Sequence, residues 1–409
     1  MAEREATKAR PGTLDVRSCV SDKPGCPGQG YSGFPFVSVV IPTYNREQIL
    51  EKCLRALLDQ TYPAGRYEVI VIDDGSTDGT RAMVERVSDK HRARAGFSPI
   101  TYRYRKHTSI GAARNEGINL ARGELVIFLD SDIVTKPDFI EAHVCVHLEG
   151  LLETGHSGSC HDKRAGHGVA GPGTSRTPGR NPAPSERQGP PPVLLQGDES
   201  RSSGQLLGHD RIIAHGRVIY TTNLDDPTAE KKKVTDISTA FFATTNVSIA
   251  RRWLMEAGLF DEDFTEYGWE DLELGKRLKK LGLRVVRSDE PVGYHFKHEF
   301  SVENLPAIRR REIERGHMAV LYHRKHPTFS VRMTTMLVPP FFWLVALLTP
   351  GGWPDRPGAA RLLARLQRGG HKAALAVLLQ VMVYYWYATG IKEALDLTRP
   401  QRPKDEPRR

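Results

Sequence analysis

Residues 124–132, Glu-Leu-Val-Ile-Phe-Leu-Asp-Ser-Asp, constrain the chain more than any other stretch. The apolar run has no polar alternation, the pattern of a strand buried on both faces, as in a parallel sheet. Asp130 and Asp132 then fall at the strand's carboxyl end, where open α/β sheets bind ligands. Two acids one residue apart on an extended chain point to opposite sides. A turn starting at Ser131 instead brings both towards one cation. Hard cations such as Mg²⁺ or Mn²⁺ take oxygen ligands, commonly one or two carboxylates plus substrate phosphates. The blander use of the same pair is a turn or helix cap, because Asp favours turns.

The rest of the 409 residues is organised around that strand. Residues 1–35, rich in Gly, Pro, Lys and Arg, read as a disordered tail. Residues 36–148 alternate strands (36–41, stopped by Pro42; 67–72; 100–105) with helices, one spanning residues 111–121 and one following Pro137. Such alternation predicts right-handed βαβ units, an α/β fold with a mostly parallel, Rossmann-like sheet flanked by helices. Residues 149–210 lose apolar periodicity and read as a low-complexity insertion or a stretch altered by a reading-frame error. His156, His161, His167 and His209 within it are too irregularly spaced for a metal site. Pattern resumes over 211–300, with a strand pair expected around Gly216, a helix ending near Gly258, another opening at Gly268-Trp269-Glu270-Asp271, and a short strand at 283–287. A basic helical linker (301–332) and an apolar, basic-tailed segment (333–409) follow.

The net charge of +9 suits an anionic partner. No zinc finger or aromatic-basic interleave points to nucleic acid, so none is expected as partner. Cys19, Cys26, Cys53, Cys145 and Cys160 are odd in number and scattered, which fits a reducing compartment rather than a disulfide framework. The charged N-terminus lacks an apolar core, so no signal peptide is expected.

Several polar residues share the rim with Asp130 and Asp132. Asp73 and Asp74 end the second strand; a carboxylate there accepts a base N–H or a ribose hydroxyl, or builds an Asx turn. Thr43 and Tyr44 follow the first strand, and Tyr44 offers a flat face for a base, or simply packs its loop. Arg114 suits a diphosphate, or is a solvated helix charge. Glu270 and Asp271 supply either a general base or acidic charge in a helix's first turn. His295 and His298, three apart, suit a metal, though a lone His is usually structural.

Taken together, residues 37–46, 71–80, 111–117 and 123–132 resemble the family 2 glycosyltransferases of the GT-A fold. Residues 258–278 are similar to the C-terminal catalytic region of galactosyltransferase-type enzymes, with its Trp-Gly-x-Glu-Asp theme. The resemblance covers about 36–148 and 236–300. It implies a metal-dependent hexosyltransferase with a nucleotide-sugar donor, expected to be a UDP-sugar, and a divalent cofactor, Mn²⁺ or Mg²⁺. It further implies inversion at the anomeric carbon and a glycan or lipid-linked acceptor, as in polysaccharide biosynthesis. By motif, Thr43, Tyr44 and Asp74, with Asp73 beside it, would hold the nucleoside; Asp132, with Asp130 nearby, would hold metal and diphosphate. Asp271 looks like the base beside Glu270, and His298 and His295 match metal-ligand positions. The chain departs from the theme in carrying Gly268-Trp269 in swapped order, and in the segment preceding Arg211. The rival readings are a sugar-nucleotide pyrophosphorylase, which needs a Gly-rich basic loop where Pro42-Thr43-Tyr44-Asn45 stands, and a catalytically impaired sugar-nucleotide-binding protein.

Two apolar stretches, 336–349 and 373–391, close the chain. The second has the length to cross a bilayer; the first is shorter, interrupted by Pro339-Pro340, and suits an interface. The link between them carries Arg356, Arg361, Arg365, Arg368 and Lys372 against Asp355 alone. That predicts a catalytic domain on the cytoplasmic face of the inner (plasma) membrane, held by contact with anionic lipid. A cytoplasmic protein with a buried C-terminal helix pair is the alternative.

Overall fold

The computed structural model describes residues 34–92, 99–155, 211–223, 225–231, 240–297 and 300–396. The tail over 1–33 and the stretch 156–210 lie outside the described residues, and so do Cys19, Cys26, Cys160, His156, His161, His167, His209 and His298.

Eight strands are described: β1 (Val37–Thr43), β2 (Tyr67–Asp73), β3 (Ile100–Tyr104), β4 (Leu125–Leu129), β5 (Ile133–Thr135), β6 (Ile212–Thr221), β7 (Asn246–Ala250) and β8 (Arg284–Phe296). They form one sheet in the order β3-β2-β1-β4-β7-β6-β8-β5. The half built from β3, β2, β1 and β4 is parallel throughout, as the βαβ pattern predicts. Beyond β4 the sheet is mixed, because β7 runs antiparallel to both neighbours and β5 antiparallel to β8.

Helices α1 (Glu47–Leu58), α2 (Thr80–Arg92), α3 (Ile110–Leu120), α4 (Phe139–Gly155), α5 (Arg251–Glu256) and α6 (Glu270–Lys280) cover the sheet. Alternate strand residues sort onto two faces. Val37, Val39, Val69, Val71 and Ile127 pack with Leu50 and Leu54 of α1 and Met83 of α2. Val40, Ile70, Val126 and Phe128 pack with Ile118 of α3, Trp253 of α5 and Leu274 of α6. All five residues of β4 are fully buried, the two-faced burial that its unbroken apolar run requires.

Three expectations change. Pro42 does not stop the first strand; it lies beyond the last pair β1 makes with β4, at a strand end where proline is tolerated. The strand pair around Gly216 is instead the single strand β6, with a register irregularity between His215 and Arg217. Gly216 marks a close approach, since a Cβ there would lie 2.3 Å from the Pro291 carbonyl oxygen. The short strand at 283–287 is thirteen residues long and runs through Pro291 to Phe296, delivering His295 to the sheet's end.

The C-terminal region folds as helices α7 (Leu305–Lys325), α8 (Phe329–Thr334), α9 (Pro339–Leu348), α10 (Pro357–Arg368) and α11 (Lys372–Asp396). The segment expected as a linker is thus mostly α7, packed on α11. Their backbones touch: a Cβ on Gly390 would lie 2.1 Å from the Ile313 carbonyl oxygen, and one on Gly316 would lie 2.5 Å from that of Tyr387. Gly390→Ala is therefore expected to force the helices apart, costing about 1–3 kcal/mol of stability as for other overpacked contacts and lowering the urea midpoint accordingly. An unchanged midpoint would show that the two helices part freely.

Candidate active site

Because β1, β2 and β4 are parallel, their carboxyl ends meet on one rim, and Thr43, Asp74 and Asp130 line the same cavity of about 950 Å³. The turn expected at Ser131 is present: the Ile133 N–H donates to the Asp130 carbonyl at 3.2 Å. It folds Asp132 back beside Asp130 instead of leaving the acids on opposite sides. The end of β8 pairs antiparallel with β5, opposing His295 to Ile133. This places His295 Nε2 3.1 Å from Asp132 Oδ1. Asp130, Asp132 and His295 each offer one ligand atom, all within 4.8 Å of one another. His295 Nδ1 is buried and has no hydrogen-bond partner. Two carboxylates and an imidazole converging on one point fit a divalent cation such as Mn²⁺. Burial raises the Asp130 carboxyl above its usual range, the nearby Asp132 charge adding to it against Arg114. For Asp132, burial is outweighed by the His295 hydrogen bond and the charges of His295 and Arg46, so its carboxyl is held below the usual range. Arg46, which sequence reasoning passed over, lies 3.7 Å from Asp132.

At one end of the cavity, Tyr44 is 47% exposed and stacks on His107 with ring centroids 4.9 Å apart. Asp74 is buried beside them, 2.7 Å from His107 Nδ1 and 3.2 Å from Arg105 Nε. The buried Thr43 hydroxyl is unpartnered. Asp73 is different. Its carboxylate accepts from the Ser76 N–H at 2.8 Å and the Tyr102 hydroxyl at 2.5 Å. It is fully buried and does not line the cavity, so Asp73 builds the turn that presents Asp74. His107 and Arg105 follow β3 on the same rim, a position the parallel-sheet argument could have flagged.

Across the cavity, α6 begins with Glu270 and Asp271. Arg114, only 3% exposed, reaches Glu270 Oε1 at 2.8 Å and Asp130 Oδ1 at 3.7 Å. It is not a solvated helix charge: it lies at the cavity wall, hydrogen-bonded to Glu270 and within ion-pair distance of Asp130. Glu270 Oε2 is left buried without a hydrogen-bond partner. Burial, with the Glu270 charge adding to it, pushes Asp271 up to about 7, well above an ordinary Asp. The first turn of α6 is set by Gly268 and Trp269, both with positive φ, at 101° and 74°.

Residues remote in sequence complete the cavity. Arg311 and Arg315 of α7, Thr334 at the end of α8, Met336 just after it, and Gln380 and Tyr384 of α11 all line it. Nothing in their local pattern marks them, since only tertiary packing brings the C-terminal helices against the sheet's rim.

Residues 38–150 match the family described as Glycosyl transferase family 2. A validoxylamine A glucosyltransferase of Streptomyces hygroscopicus subsp. limoneus is 29% identical over 337 residues, 82% of this chain and 64% of that protein. A hyaluronan synthase of Pasteurella multocida is 28% identical over 270 residues, 63% of this chain and 24% of that protein. Among solved structures, a mannosyltransferase from Pyrobaculum calidifontis in complex with GDP-Man and Mn²⁺ aligns with a TM-score of 0.45 and 16% identity, covering 94% of this chain and 93% of that one. The chain spans 64% of the length of the two Streptomyces glucosyltransferases it matches. The family match ends before the galactosyltransferase-like stretch at 258–278. The segment that carries Thr43, Asp74, Asp130 and Asp132 thus matches glycosyl transferase family 2.

Proposed function

We propose that the chain transfers a sugar from a nucleotide-sugar donor, a UDP-sugar by expectation, to a hydroxyl of a glycan or lipid-linked acceptor, with inversion. One observation carries the reading: a single cavity joins the Tyr44–Asp74 end, the Asp130–Asp132–His295 cluster and Asp271. Tyr44 provides the flat face for the base, and Asp74 the acceptor for a ring N–H or a ribose hydroxyl. Asp130, Asp132 and His295 would hold the divalent cation. When bound, such a cation supplies Lewis-acid and templating chemistry, offsetting the charge of the departing diphosphate. His298 is proposed as a further ligand on sequence grounds alone.

Asp271 takes the proton of the attacking hydroxyl. In a single displacement the hydroxyl's oxygen forms the new glycosidic bond while the bond to the diphosphate breaks, and no enzyme nucleophile intervenes. Inversion follows. A base near neutrality is better matched to that proton transfer than an ordinary Asp at about 3.9. Arg114 positions this machinery by holding Glu270 and Asp130 together. A protein that binds sugar nucleotides without transferring them is the other reading; Asp271 lining the same cavity as the metal-site cluster favours transfer, since binding alone does not need a base there. The apolar C-terminal helices support attachment to a membrane, and the basic link between them favours the cytoplasmic face as its side.

In the presence of Mn²⁺, the purified chain is expected to turn over a UDP- or GDP-sugar, and Asp132→Ala to lose metal-dependent donor binding in calorimetric titration. Unimpaired donor binding by that variant, in chelator, would remove the cluster's role. Asp271→Asn should cut turnover by about 10²–10⁴-fold with donor affinity retained. Because the base acts when ionised and its pKa is raised, wild-type turnover should climb as pH rises through about 7. A rate flat from pH 5 to 9, or a near-normal Asp271→Asn enzyme, would move the base to Glu270. Arg114→Met leaves the buried Glu270 and the half-buried Asp130 without their cation, which should cost about 3–5 kcal/mol in urea unfolding. A loss below about 1 kcal/mol would mean that the carboxylates shed their charge at little cost.

A further inference from the structure

The apolar C-terminal stretches divide into two physically different elements. Residues 329–348 are not one helix. Met336, with φ 55°, breaks them into the short α8 and the ten-residue α9. Ten residues rise about 15 Å, half of a hydrocarbon core of about 30 Å. This element nevertheless points several large apolar side chains outwards: Phe329 is 78%, Trp343 72% and Leu347 76% exposed, with Met333, Leu344 and Leu348 beside them. Residues 343, 344, 347 and 348 recur at helical spacing, so they form one face of α9. The opposite face is anchored, with Val345 buried and Phe341 packed on Tyr387.

The element α11 is long enough to cross, yet its C-terminal half is interior. Met382, Trp386, Tyr387 and Ile391 are buried. Its neighbour α7 is charged, and His317 of α7 bonds both Glu266 and Glu393 of α11, at 2.8 and 3.1 Å. The Trp386 indole donates to Asp355 at 2.9 Å, which also pairs with Arg309. Lipid cannot replace such neighbours without stranding their charges.

From residue 329 to 354 the only charged side chain is Arg332. Beyond it come Arg356, Arg361, Arg365, Arg368 and Lys372, all exposed, against Asp355 alone, which is already paired. An outward apolar face followed by unmatched cations is the pattern of a helix lying in the headgroup layer of anionic lipid. We propose that α8 and α9 dock the chain on an anionic lipid surface from one side, and that α11 does not cross. The assignment deepens the attachment proposed above. It also has a consequence for the substrate: Thr334 and Met336, at the break between the two helices, line the cavity, so the docking element forms part of its wall.

The test is flotation of the purified full chain with vesicles of phosphatidylcholine, with or without phosphatidylglycerol. Wild type is expected to float with the anionic vesicles and to be released by high salt or alkaline carbonate. Trp343→Glu with Leu347→Glu, both at exposed positions, should reduce flotation at least tenfold, and Arg361→Glu with Arg365→Glu should abolish the preference for phosphatidylglycerol. Donor binding with Mn²⁺, measured on the same preparations, reports the transferase reading separately and should be unchanged in all variants. Failure of wild type to float, flotation unaffected by the paired glutamates, or extraction only by detergent would each overturn the proposal. A wild-type dimer that the paired glutamates dissociate, without vesicle binding, would assign the face to a second copy instead.

Discussion

The geometry of the candidate site depends on the guanidinium of Arg114, which sits between Asp130 at the end of β4 and Glu270 at the start of α6. Two carboxylates drawn together out of water repel each other, and a buried cation between them offsets that repulsion. Without it the helix start and the strand end could not share a cavity. The same turn of α3 makes a second tie. Asn115 accepts from the Phe260 N–H at 2.8 Å and donates to the Phe260 carbonyl at 2.9 Å, fixing the acidic loop that leads to α6. The helix lies close enough to do this because Gly117 leaves room for Val40; a Cβ there would come within 2.4 Å of it. Thus α3 joins the parallel half of the sheet to the half that carries Glu270 and Asp271.

A second constraint lies at Trp269. A bulky residue in the left-handed region is strained and needs support from its surroundings. Support comes from the C-terminal helices: its indole donates to the Arg315 carbonyl at 2.9 Å, and its ring stacks on Tyr322 with centroids 6.0 Å apart. The orientation of Asp271, two residues along, is therefore set in part by a region that looks peripheral in sequence. The swapped Gly268-Trp269 order is accommodated by this arrangement, with glycine and tryptophan both at positive φ.

How far the fold could be read from sequence followed from the physics of each segment. The apolar runs of β1, β2 and β4 are buried on both faces, so periodicity alone marks them and their acidic ends. In contrast, β8 carries Asp289, Glu290 and Pro291 at its middle, so apolar pattern marks only its start at 283–287 and misses the continuation to Phe296 that pairs with β6. Gly216 looks like a turn residue because the tight backbone contact that requires it is tertiary. Adjacent Asp73 and Asp74 are indistinguishable in pattern; only the partners at Ser76 and Tyr102 tell the turn-builder from the cavity residue. Arg114 was visible as a candidate, but its carboxylate partners lie 16 and 156 positions away and no local rule could pair them. The C-terminal lining was invisible for the same reason.

That lining changes what the C-terminal helices are for. Arg315, Met336, Gln380 and Tyr384 form one wall of the chamber in which the sugar would move. Trimming the chain ahead of α8 to obtain a more tractable protein would do more than remove an anchor. It would open the chamber to bulk water on one side, and it would take away Tyr387, which packs beside Trp269. A shortened protein that binds nucleotide yet transfers nothing would then report a missing wall, and an inert sheet domain would be the wrong conclusion to draw from it.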